Sequence, residues 1–273
     1  QQFNGAERFY HPGTESWGST FEWALSAKYL AAAGKPAVVF HHHALGPWHY
    51  IPLPEAEARL AVAETAACGA NPWFGVFNYT LDHSRERAQA GMGRIFGFLE
   101  RHESAFDGAV SVAETAVLYS RSTATYYVSR EDSIYRSYGS GREQDLVADV
   151  GPAAERAQSR ERRVLCERIY GDEFEGWCTA LMREHVPFDV VLETGLESAL
   201  ERYKALVLPN AACLSEKAVR AIERFAERGG HIVASFETGR YDEWGALSDR
   251  PSLAALFGVR RYLGAFTAFT PDE

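Results

Sequence analysis

The sequence predicts an α/β fold, and three observations carry that reading. Ala37–Phe40 (AVVF) is a run of four apolar residues with no in-and-out alternation, as expected of a strand covered on both faces. Short strands of this kind alternate along the chain with helices of ten or more residues, the pattern of a parallel sheet sandwiched by helices. Polar and aromatic residues crowd the end of that strand, where α/β folds place their sites.

Gln1–Gly18 is irregular and aromatic, and reads as the last residues of a strand followed by a long loop. Ser19 and Thr20 can cap a helix over 21–33, with Phe21, Ala24, Leu25, Tyr29 and Leu30 as its apolar face and Gly34 as its stop. The strand Ala37–Phe40 follows. Pro54 opens the next helix, with Glu55 and Glu57 in the first turn where the helix dipole favours them. Its small-sided stripe is Leu60, Val62, Ala63 and Ala67, and Cys68-Gly69 ends it. Asn71–Asn78 is a strand, and 85–103 is a helix carrying Met92, Ile95, Phe96 and Leu99. These residues form an incomplete βα repeat with too few strands to close a barrel alone.

A second series begins with the strand Val117–Tyr119. Residues 129–163 are polar and charge-rich, an exposed insertion with some helix near 152–168. A helix over 172–185, a strand Asp189–Leu192, a short helix Leu196–Arg202 and a strand Ala205–Leu208 follow. The helix Ser215–Arg228, capped by Ser215, ends at Gly229-Gly230. A strand His231–Phe236 and a last short helix Leu253–Phe257 complete a flavodoxin-like three-layer α/β/α pattern.

Composition narrows the function. Hydrophobic residues make up 46% and charged residues 24% of the 273 residues, ordinary for a globular protein. A net charge of −9 argues against nucleic acid as the main partner. No apolar run reaches the ~18 residues a membrane span needs, so no membrane partner is expected. The chain begins QQFNGAERFY without Met and without a signal-peptide pattern. We expect a piece of a longer protein whose N-terminus does not report its compartment. Cys68, Cys166, Cys178 and Cys213 have neither CxxC nor metal-ligand spacing. They read as free thiols of a reducing, cytoplasmic setting. No G-x-G-x-x-G or G-K-[ST] loop is present, and no cofactor is expected.

The segment LVLPNAACLSEKAVRAIERFAERGGHIVASFETG, with LAALFGV after it, resembles the trimerisation domain of family 42 beta-galactosidases. That domain is similar in fold to class I glutamine amidotransferases. Upstream, KPAVVFHHHALGPWHYIPLPEAEARLAVAETAACGANPWFG resembles the last two strands of the catalytic barrel preceding that domain, as in the hypothetical glycosyl hydrolase group. The resemblance implies a partial (β/α) barrel over 1–108 and a trimerisation-type domain over 109–273. It implies a homo-oligomer, a trimer, and hydrolysis of O-glycosidic bonds in beta-galactosides or related oligosaccharides. A carbohydrate-binding or oligomer-forming module without catalysis is the alternative. In family 42 enzymes the penultimate barrel strand ends in a nucleophilic Glu some way before a Trp. Trp48 matches the Trp, but the strand end reads Phe40-His41-His42-His43, with no carboxylate for a retaining pair.

Glu7 is the remaining carboxylate near a strand end and the candidate catalytic residue. Alternation sends His41 and His43 to one side of the strand and His42 to the other. Each imidazole can donate and accept hydrogen bonds to sugar hydroxyls, or fill a core position. Trp48, Tyr50 and Trp73 can stack on a pyranose ring, although Trp73, inside a strand, favours packing. His49 is the one nearby residue that could complete a metal set with these histidines, and no metal is expected. Cys213 lacks a nucleophile elbow, and His231 opens a strand where a catalytic base is not expected. Ser120, Arg121 and Ser122 could bind an anion or form a solvated, locally capped loop. The run Glu155–Arg163 reads as a solvated helix face.

Overall fold

The structure is a computed structural model that describes residues 4–8, 21–42, 44–45, 51–52, 54–75, 87–127, 170–171, 173–248 and 253–260. Contacts divide the chain into two compact units. One gathers Gln1–Ala113 with Cys178–Val191, the other Glu114–Trp177 with Leu192–Glu273. The protein is a mixed α/β fold built on parallel sheets.

In the first unit, β1 (Asn4–Arg8), β2 (Ala37–His42) and β5 (Asn71–Gly75) form a parallel sheet in that order. Between β2 and β5 a short antiparallel pair, β3 (Ala44–Leu45) and β4 (Ile51–Pro52), precedes α2 (Glu55–Ala67). The helix α1 (Glu22–Ala31) buries Ala24, Leu25, Ala27 and Leu30, and the last two join Ala37, Val39 and Ala70 in one core cluster. A second cluster, Ala58, Val62 and Ile95, joins α2 to α3 (Arg87–Arg101). The short helix α4 (Glu103–Phe106) follows.

The second sheet has the order β7-β6-β8-β9, from β6 (Thr115–Tyr119), β7 (Phe188–Leu192), β8 (Ala205–Leu208) and β9 (His231–Ala234). A six-residue helix α5 (Arg121–Tyr126) leaves β6, and helix α6 spans 173–183. The turn-long α7 (Leu196–Ala199) runs into a 3-10 turn, Leu200–Arg202. Helix α8 (Glu216–Glu227) is capped as expected, Ser215 accepting from the Ala218 N–H. Its face of Ala218, Val219, Ala221, Ile222 and Phe225 is buried. It ends on Gly229 at φ 87°. At Gly230 a Cβ would lie 2.3 Å from the Phe225 ring, so only glycine fits there.

Several expectations shift. The strand expected in the N-terminal segment is present as β1, paired with β2, whereas other elements differ. The buried face of α2 is Ala58, Ala61, Val62 and Thr65, while Leu60 is 38% exposed. A polar Thr occupies the face because it has a buried partner in β2, which apolar periodicity does not reveal. Tyr29 of α1 is exposed, and Ala27 takes the core position. Strand β9 stops at Ala234, because Phe236 adopts φ 50° and breaks the extended path. Leu253–Phe257 is a turn closed by a bond from the Phe257 N–H to the Leu253 carbonyl, not a regular helix. The insertion at 129–163, the helix near 152–168 and residues 76–78 lie outside the described residues. No helix among the described residues is long and apolar enough to cross a membrane.

The start of α1 carries an unusual carboxyl. Its N-cap, Phe21, has no side chain that can accept a hydrogen bond, and Glu64 of α2 takes the backbone bond from Ala24 instead. Desolvation pushes the Glu64 carboxyl up to about 7, against the lowering effect of that bond, and its Oε2 is buried without a partner. The unfolded chain releases this proton near 4.5, the folded chain near 7. The folded state therefore binds more protons in that window. The contribution is full below about 4.5 and is lost as pH rises to about 7. Glu64→Gln keeps the neutral form, so its melting temperature should gain on the parent's progressively from pH 4.5 to a plateau above pH 7. Thermal unfolding of both proteins across that range measures the difference.

Candidate functional site

The register of the first sheet sets Glu7 of β1 opposite Phe40 of β2, and Phe40 opposite Trp73 of β5. Residues paired laterally in this way form one row across the sheet. Phe40 and Trp73 meet edge to face, with ring centroids 5.3 Å apart. Trp73 is 54% exposed. Next along β5, Gly75 makes room for the Phe40 ring, since a Cβ there would lie 2.2 Å from Phe40 Cζ. His42 closes β2 opposite Gly75. His43, Trp48, His49 and Tyr50 lie outside the described residues.

His41 belongs to the other, helix-covered face. It is 1% exposed, stacks on Phe74 at 5.1 Å and meets the edge of Trp23 of α1. Its Nε2 pairs with Thr65 Oγ1 of α2 at 3.0 Å, while Nδ1 has no partner. The structure therefore brings Glu7 and Trp73 into one row and places His41 among core side chains. Burial lowers the His41 pKa to about 4 from 6.5, so the ring is neutral at physiological pH. The folded state takes up its proton later than the unfolded chain as pH falls. Stability is intact above about 6.5 and is lost progressively as pH drops to about 4. At pH 4 the loss from this group is about 3 kcal/mol. His41→Phe should remove that part of the acid lability, read as a flatter urea midpoint between pH 6.5 and pH 4.

The ends of β6, β8 and β9 hold a second polar cluster. Ser120, directly after β6, caps α5 by accepting from the Thr123 N–H at 3.0 Å, and donates to Glu193 Oε1 at 2.5 Å. Ser122 donates to the other oxygen of Glu193 at 3.2 Å. The Thr123 hydroxyl accepts from the Cys213 N–H at 3.0 Å and reaches the Cys213 carbonyl at 3.2 Å. Ser120, Thr123 and Cys213 are each 0% exposed. Thus Ser120 is the local cap that one of its sequence readings expected, but it is buried rather than solvated.

Beyond β9, Glu237 is 3% exposed and fully engaged. Tyr127 donates to its Oε2 at 2.6 Å, Arg240 pairs with Oε1, and the Tyr241 hydroxyl lies 3.3 Å from Oε1. The Glu237 N–H reaches Asn210 Oδ1 at 3.3 Å. Sequence reading passed over Glu237. The signal was a carboxylate in SFETG, inside a segment otherwise suited to burial. Among the described residues, no group of three His, Cys, Asp or Glu could hold a metal ion. The hydrogen bonds around Ser120 and Glu237 tie the loops at these strand ends together. Glu237→Leu should cost about 3 kcal/mol, because it removes the acceptor of two buried tyrosine hydroxyls and of the half-buried Arg240 guanidinium. Urea denaturation would register it.

Parallel sheets with polar clusters at their strand ends define the chain as a mixed α/β protein. The chain belongs to the "Beta-galactosidase trimerisation domain" family, whose profile matches residues 113–267. Solved structures are similar in fold. A beta-galactosidase from Bacillus circulans sp. alkalophilus matches with a TM-score of 0.56 at 14% identity, over 93% of this chain and 35% of that one. An alpha-L-fucosidase isoenzyme 2 from Paenibacillus thiaminolyticus matches at 0.51 and 20%, over 88% and 30%. A catalytic mutant of a family 42 beta-galactosidase from G. stearothermophilus matches at 0.51 and 18%, over 89% and 34%. The chain thus spans about a third of the length of these proteins. No curated protein matches it.

Proposed function

We propose that the chain supplies the last βα units of a (β/α) glycosidase barrel, over 1–108, and a flavodoxin-like trimerisation-type domain, over 109–273. The protein hydrolyses O-glycosidic bonds of beta-galactosides or related oligosaccharides and works as a homotrimer. One observation carries the reading: the fold likeness to glycosidases runs through 88 to 93% of the chain, well beyond the 113–267 matched by the family profile.

In this reading Glu7 is the catalytic carboxylate contributed by the chain. Trp73, level with it two strands away, stacks on the apolar face of a pyranose. His42, His43, Trp48 and His49 follow from the end of β2 and bind sugar hydroxyls. His41, the other histidine assigned to sugar binding, instead anchors β2 to α2 through Thr65. A second reading, a non-catalytic carbohydrate-binding or oligomer-forming module, draws support from the end of β2, where His41 and His42 stand and no carboxylate does.

Hydrolysis of chromogenic aryl galactosides by the full-length protein separates the two readings. The hydrolase reading expects turnover, and expects Glu7→Gln to lower kcat by about 100-fold or more with KM little changed. Absence of turnover, with retention on an immobilised galactoside, would favour the second reading. Light scattering on the full-length protein should give about three protomer masses, and a monomer mass would remove the trimer.

A further inference from the structure

The second unit displays a large aromatic pair that neither the core nor the polar clusters use. Trp244 is 67% exposed and Tyr126, the last residue of α5, is 37% exposed. Their ring centroids lie 5.3 Å apart with planes at 59°. The two rings form an open corner rather than a closed stack.

The pair stands on a rigid turn. Asp242 Oδ1 accepts from the Trp244 N–H at 3.0 Å and from the Ala246 N–H at 2.8 Å. The Asp242 N–H bonds to the Ala246 carbonyl, and the Gly245 N–H to the Asp242 carbonyl. Gly245 sits at φ 80°, with so little room that a Cβ would lie 2.4 Å from the Tyr126 carbonyl oxygen. That contact fixes the distance between the two aromatic residues. Tyr127, next to Tyr126, and Tyr241, three residues before Trp244, converge on buried Glu237. Asp242 and Gly245 alone satisfy the turn. Nothing in the turn's geometry calls for a tryptophan at its exposed position.

We propose that Tyr126 and Trp244 form a carbohydrate-stacking subsite for one pyranose ring of an extended oligosaccharide. The assignment rests on the hydrolase reading for its choice of ligand. A pre-positioned aromatic corner matches the apolar face of a sugar ring and loses little side-chain freedom on binding. Asp242 and Glu243 precede the tryptophan and place carboxylates within the same turn, the acceptor chemistry sugar hydroxyls require. A second copy of the chain is the weaker occupant. Two partly exposed rings offer on the order of 250 Å², against roughly 800 Å² per partner in a stable protein interface.

Affinity electrophoresis of the whole chain through gels containing soluble galactan tests the assignment, with parallel scattering and aryl galactoside assays. Retardation by galactan is expected. Trp244→Ala should weaken it about five- to tenfold in Kd, Tyr126→Ala should weaken it less, and Trp244→Phe should retain most of it. Oligomer mass and aryl galactoside turnover should stay unchanged in all three. Absence of retardation in the parent, or a Trp244→Ala variant that binds like the parent, overturns the subsite. So does a drop in oligomer mass in Trp244→Ala, which would assign the corner to a contact between copies. Turnover without retardation sinks the subsite and leaves the hydrolase reading standing. Retardation that depends on Trp244, without turnover, does the reverse.

Discussion

A carboxylate removed from water must find all its hydrogen bonds inside the protein, because burying it unpaired costs several kcal/mol. Glu237 meets that demand with Tyr127, Arg240 and Tyr241. The partners come from the exit of α5 and from the segment after β9, and the Glu237 main chain adds the loop after β8 through Asn210. One buried charge thus fixes three connections at the carboxyl ends of the strands. The neighbouring Ser120–Glu193 and Thr123–Cys213 bonds extend the same arrangement to β6. Buried bonds grouped in this way reinforce one another in the low-dielectric interior.

The first unit handles its polar residues differently. Its sheet has an aromatic row, Phe40 with Trp73, on one face and a helix-covered face carrying His41. Alternation along β2 assigns adjacent residues to these two environments. The neutral, buried imidazole of His41 and the half-exposed indole of Trp73 are consequences of the same two-residue period.

Much of this was legible in the sequence. The runs Ala37–Phe40 and Ala205–Leu208 fall within β2 and β8, and Ser215 caps α8 as its position before an acidic first turn implied. Ser120 was noticed as a possible local cap, but its burial was not foreseen. The face of α2 was misread because its buried stripe includes Thr65, whose partner is 24 residues away. The bonds of Glu237 to Tyr127 span 110 positions. A sequence pattern reports neighbours three or four residues apart on a helix and two apart on a strand. Pairings at long separation, which decide most of the polar structure here, leave no such trace. The edge-to-face meeting of Phe40 and Trp73 was hidden for the same reason, since it depends on strand register.

The turn at Asp242–Gly245 separates the residues that make the fold from those that meet solvent. Asp242 and Gly245 fulfil its hydrogen-bonding and backbone requirements, while Glu243 and Trp244 carry no duty to the core. Mutation can therefore sample new side chains at positions 243 and 244 while the Asp242 side-chain bonds and the Gly245 backbone hold the turn. The tip is an evolvable cassette: descendants of this chain can change what the turn presents while inheriting the scaffold intact.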